Sequence, residues 1–135
     1  MPAPSRWMIR AAIIYLLTGF LFGALMLIGK GISDLSFLWK LLPLHIEILI
    51  FGWIIQFTMG TAYWILPRYL EGPARGNPHL SKIMVIIFNS GILVNLATSL
   101  EVISAGGYLW GRLLEVGAVG IFIFLHWNRA VSYSH

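Results

Sequence analysis

Four long apolar runs leave this chain few ways to fold. They cover about residues 7–28, 42–66, 80–103 and 110–127, and each can cross a bilayer as one helix at about 1.5 Å per residue. Hydrophobic residues make up 59% of the chain and charged residues 10%. A soluble domain of 135 residues could not hide that much apolar surface. The expectation is an all-α membrane protein: a single four-transmembrane-helix bundle over residues 1–135, with the lipid bilayer as its first partner.

The formal charge of +4 does not point to nucleic acid, because the basic residues are sparse and sit at the ends of apolar runs. They read as topology signals. Arg6, Arg10, Arg68, Arg75, Lys82 and Arg129 fall at one end of the spans; Lys30, Lys40 and Arg112 fall at the other. The positive-inside rule then makes both termini cytoplasmic. The run Ala11–Ile28 is longer than a secretory h-region and no small-residue cleavage site follows it, so it reads as a retained helix. There are no cysteines, which excludes disulfides, thiolate metal sites and covalent heme attachment.

The second run, Leu42–Arg68, carries the most chemistry. At about 100° per residue, Leu49, Gly52, Gln56, Met59, Gly60 and Tyr63 all project near the direction of His45. An intramembrane histidine is a functional candidate by default. Gly52 removes a side chain where something flat could lie. Gln56 and Tyr63 lie deeper on the stripe, where they line a polar path or quinone pocket or, on the plainer view, bond across helices. Gly19 and Gly23 let the second helix approach the first closely. Asn89, Ser90 and Asn95 need interhelical partners. Glu47 points away from His45; it can pair with Lys40 or a cation of the last helix, or simply sit among the headgroups. Arg112 and Glu115, three residues apart, can pair with each other. His126 stands beside Trp127, Asn128 and Arg129, an interfacial belt. Its structural reading is preferred over a second metal site. His45 and His126 lie at opposite faces of a layer about 30 Å thick and cannot share one metal. The loop 69–81, with Gly72, Pro73, Gly76 and Pro78, is rich in turn formers, and His79 reads as exposed. Met26, Met59 and Met84 read as packing residues.

Pro43, Leu44, His45, Leu49, Ile50 and Trp53, followed by Met59, Gly60, Tyr63, Ile65, Leu66, Pro67 and Arg68, resemble the second transmembrane helix of subunit I in the heme–copper oxidase superfamily. The nitric oxide reductase and cbb-type oxidase branches are the most similar. The resemblance covers the second helix well, reaches weakly into the first, and is slight in the last two. It implies that His45 is an axial ligand of a b-type heme near the outer membrane face. With a heme on His45, Leu49, Gly52 and Gln56 of its stripe become heme neighbours, and Arg112 and Lys40 are the outer-side cations able to neutralise its propionates or, on the plainer view, ordinary snorkelling side chains at the interface. Subunit I of that superfamily has about twelve helices, where this chain has room for about four. The helices bearing the copper-site histidines and the high-spin heme ligand have no counterpart here.

The expected function is therefore a small membrane cytochrome of b type that transfers electrons, rather than an oxygen or nitric oxide reductase acting alone. One chain offers no second outer-side histidine, so the heme is expected at a homodimer interface between two His45 stripes, with a trimer as the rival. The rival functions are a heme-free structural subunit of a respiratory complex, a heme-based gas-binding protein and a small transporter. The family likeness places it in a bacterial inner membrane.

Overall fold

The chain begins with prolines where a helix tolerates them. Pro2 caps α1 (Ala3–Gly31) and Pro4 lies in its first turn, where a missing N–H breaks no helical bond. The structure is a computed structural model that describes residues 1–68 and 75–131. Gly72, Pro73 and the tail after residue 131 lie outside the described residues.

A 3₁₀ segment, Ser33–Leu41, folds back on the end of α1. Gly29 permits this: a β carbon there would stand 2.7 Å from the Leu35 carbonyl oxygen. The second span then runs as α2 (Leu42–Glu47), a π-helical stretch (Ile48–Ile55) and α3 (Gln56–Ile65). α4 (Pro78–Ser99) starts with Asn77, whose Oδ1 accepts from the backbone N–H of His79 at 2.9 Å and of Leu80 at 3.3 Å. α5 is Gly107–Val131. The described residues include four apolar helical spans, of mean hydropathy 1.6 to 2.4, and contain no strand. The described residues are thus all-α in class, and the chain is an integral membrane protein.

α4 stops at Ser99, short of the expected end near residue 103. Glu101 takes a left-handed φ of 61°. Its N–H bonds the Thr98 carbonyl at 3.0 Å, and the Val102 N–H bonds the Ala97 carbonyl at 2.9 Å. These crossed bonds close the helix as a Schellman motif.

Elements adjacent in sequence pack side by side. α1 lies on the second span, the second span on α4, and α4 on α5. Outward faces such as Ile13, Ile14, Leu17 and Phe20 of α1 are exposed, as lipid-facing side chains are. The apolar core takes residues from every span: Met8, then Met59 and Tyr63, then Met84, Phe88 and Ile92, then Ala118 and Leu125. Most of these belong to the ends of the spans opposite His45. Polar bonds tie the middle. The Asn89 Oδ1 accepts from both the Tyr15 hydroxyl and the Gln56 Nε2, each at 3.2 Å.

Candidate functional site

The stripe expected on the second span is its inward face. Gly52, Gln56, Met59, Gly60 and Tyr63 are buried, and His45 and Leu49 half-buried. Most of it is filled by the chain itself. The flat group against Gly52 is the ring of Tyr15: a β carbon on Gly52 would stand 2.6 Å from Tyr15 Cγ. Gln56 is bound to Asn89. The Tyr63 hydroxyl shares a 2.9 Å hydrogen bond with Ser81 Oγ. Neither Gly52 nor Gln56 borders the open space beside His45.

His45 differs from its stripe-mates. Its Nδ1 lies 2.9 Å from the Gly19 carbonyl oxygen. A carbonyl only accepts, so Nδ1 carries the hydrogen, and Nε2 is the ring atom left to offer a lone pair. The ring edge lies against Gly23, where a β carbon would stand 2.9 Å from Cε1. Gly19 and Gly23 thus do what their spacing promised: they seat the second helix of the same chain, with Leu49 and Ile48 against Gly19.

Next to His45 opens a cavity of about 520 Å³ on the α1 side of the molecule, lined by Phe20, Gly23, Ala24, Met26, Leu27, Trp39, His45 and Leu49. Its walls are almost wholly apolar. Met26 and Phe20 were not foreseen as wall residues, although Gly19, Gly23 and Met26 share one face of α1 by helical spacing. Trp39 comes from the 3₁₀ segment that folds over the end of α1. Lys40, its neighbour, is exposed.

Arg112 is placed elsewhere. Its Nη2 lies 2.5 Å from Glu47 Oε2, and its Nη1 lies 2.6 Å from Glu115 Oε2 and 3.2 Å from Glu47 Oε1. Asn95 Nδ2 donates to both carboxylates, at 3.2 and 3.0 Å. Glu47 and Glu115 are 4% and 2% exposed. Of the expected partners for Glu47, the cation of the last helix, Arg112 on α5, is the one present, and the Arg112–Glu115 pair also forms. The guanidinium lies 4.1 Å from the centre of the Phe51 ring and lines a separate cavity of about 250 Å³ with Phe51, Ile55, Phe88 and Glu115. This cluster locks three spans together and leaves Arg112 no place at the His45 cavity.

His126 is buried at the other end of the bundle. Its Nδ1 lies 2.6 Å from the Phe122 carbonyl, and its ring meets that of Tyr63 edge-on at 5.2 Å. No group of three or more metal-ligating side chains occurs among the described residues. Beside it, Arg129 Nε donates to the Pro67 carbonyl at 2.8 Å and Nη2 to that of Leu66 at 2.7 Å. A cation of α5 thus caps the C-terminal carbonyls of the second span, where the helix dipole is negative.

No curated protein and no solved structure matches the chain. A family model described as "Cytochrome C and Quinol oxidase polypeptide I" matches residues 3–133. Members of this family bind heme. The match covers nearly the whole sequence, including the two helices that the resemblance reached only slightly, and the chain belongs to the cytochrome c and quinol oxidase polypeptide I family, the subunit I family of the heme–copper oxidases.

Proposed function

We propose that this chain is a small membrane-bound b-type cytochrome that transfers electrons, with His45 as an axial ligand of the heme iron. The observation that carries this reading is the bond from His45 Nδ1 to the Gly19 carbonyl, beside a cavity of about 520 Å³. Histidines that bind metals donate their other ring N–H in this way, which fixes the ring and raises its basicity. The residues present fit a heme. Gly23 keeps clear the edge of the imidazole, since a β carbon there would press on Cε1 at 2.9 Å. Phe20, Leu27, Leu49 and Trp39 supply an apolar wall that excludes water and sets a low dielectric around the metal.

When bound, the heme supplies one-electron chemistry through its iron. The protein's part is to hold the imidazole still, so that little need move when the charge on the metal changes. Lys40 is the outer-side cation nearest in sequence to the cavity wall and is assigned to a propionate; Arg112 is committed to Glu47 and Glu115. The cavity borders the lipid-facing side of α1, so a second copy of the chain covers the outer edge of the heme. Both termini are cytoplasmic and the membrane is a bacterial inner membrane.

The test is an optical spectrum of the detergent-purified protein from heme-replete cells, together with its oligomeric mass. Sharp reduced-minus-oxidised bands of a six-coordinate b heme in a dimer are expected; a trimer would replace the dimer alone. His45→Ala is expected to lose the heme while His126→Ala keeps it. Heme retained by His45→Ala overturns the assignment. Colourless wild-type protein would favour a structural subunit or transporter, and reduced protein that binds carbon monoxide would favour a gas-binding role.

A further inference from the structure

Among the described residues, α5 packs along α4 and makes few close backbone approaches to the second span. Side chains bridge those two at either end. Arg112 reaches Glu47 at the His45 end, and Arg129 reaches the Leu66 and Pro67 carbonyls at the other. Between the bridges lies the cavity of about 250 Å³. Phe88, 1% exposed, is its floor, and Val116, 68% exposed, is its rim toward lipid. Arg112, Val116 and Val119 line it at i, i+4 and i+7 of α5, so it runs along the helix axis for about 10 Å. Acyl chains in a bilayer run the same way. The cavity is smaller than the pockets of about 300–1,000 Å³ that take drug-sized molecules.

We propose that this groove is a phospholipid site, with one acyl chain against Phe51, Ile55, Phe88, Val116 and Val119 and the phosphate of a zwitterionic headgroup on Arg112. The Arg112 side chain is 42% exposed. It lies about 7.5 Å inside the start of α5, from where a long side chain reaches headgroup level. Its Nη1 and Nη2 meet the two oxygens of Glu47, and Nη1 also meets Glu115. The N–H of Nε and the outer N–H of Nη2 have no partner among the described residues. They share one edge of the planar guanidinium and form a fork that fits phosphate bidentately. The headgroup class follows from charge. Two carboxylates on one guanidinium leave the cluster net negative when both are ionised, which opposes an anionic headgroup and favours one that brings its own ammonium. The lipid thus fills the gap between the second span and α5 that the chain's own side chains leave open.

The test is native mass spectrometry of the full chain, delipidated in detergent and titrated with dioleoyl phosphatidylethanolamine or dioleoyl phosphatidylglycerol. One phosphatidylethanolamine per chain is expected, bound about tenfold more tightly than phosphatidylglycerol. Val116→Trp, which fills the rim, is expected to lose it. Leu113→Trp, at a position 52% exposed on α5 and outside the groove, is expected to keep it. Arg112→Lys retains a cation for both carboxylates but lacks the fork, and its affinity is expected to fall about tenfold; it carries the test if Val116→Trp does not fold. Phosphatidylethanolamine bound as tightly by Val116→Trp or Arg112→Lys as by wild type overturns the site, and so does phosphatidylglycerol bound equally well. A quinone or a second copy of the chain that Val116→Trp releases in place of lipid overturns it too. Heme content is expected to be the same in all these variants, which separates this outcome from that of the heme reading.

Discussion

His45 donates its Nδ1 hydrogen to the carbonyl oxygen of Gly19 on the preceding helix at 2.9 Å. A helical carbonyl is normally committed to its own i+4 partner, so this oxygen accepts a second hydrogen bond across the interface. It can do so because Gly19 carries no side chain and Leu49 and Ile48 fit against it. The imidazole is thereby aimed by backbone, and its direction depends on how closely α1 and the second span approach.

Gly23→Ala tests that dependence. The new β carbon would meet His45 Cε1 at 2.9 Å, and the ring would have to move. Heme content per folded protein is expected to fall about tenfold, on the order of 1.4 kcal/mol of lost binding. Gly120→Ala on α5, where nothing lies within 4 Å, is the control and is expected to keep full heme. Absorbance per mole of protein distinguishes the two.

Arg112→Leu would leave Glu47 and Glu115, 4% and 2% exposed, without their cation in an apolar layer. Breaking a buried pair in this way costs about 3 kcal/mol or more, although the partial exposure of the guanidinium moderates it. Adding Glu47→Gln and Glu115→Gln to the same chain is expected to restore much of the loss, because no uncompensated charge remains. Unfolding titrations in mixed detergent micelles would read both, and a triple variant no more stable than the single one would contradict the pairing.

Arg129→Met should loosen the far end of the bundle. It removes charged hydrogen bonds to the Pro67 and Leu66 carbonyls, at 2.8 and 2.7 Å, each typically contributing about 1.5–3 kcal/mol. Arg129→Lys is expected to recover only part, since an ammonium lacks the planar fork. The melting temperature should drop in the order wild type, lysine, methionine, while the heme spectrum of the folded fraction stays the same.

Glu101→Gly is expected to stabilise the protein. The residue holds a φ of 61°, which costs an L side chain roughly 1–2 kcal/mol and glycine little. Glycine loses part of this gain through greater unfolded-state freedom. A net gain of about 1 kcal/mol, seen as a raised melting temperature, is the expected outcome.

Much of this molecule was legible from residue spacing. Apolar runs long enough for a bilayer set the four spans because hydrocarbon tolerates little else. Helical periodicity put His45, Gly52, Gln56 and Tyr63 on one face of the second span, and that face turns inward. Periodicity states which residues share a face, however, and is silent on what lies opposite. Tertiary packing decided that Tyr15 fills the gap at Gly52, that Arg112 turns to Glu47 and Glu115, and that Met26 and Trp39 join His45 around one open space. Those partners are far apart in sequence and meet only through the approach of whole helices. The space beside His45 exists because facing side chains fail to fill it, a property of two surfaces together that neither strip of residues carries alone.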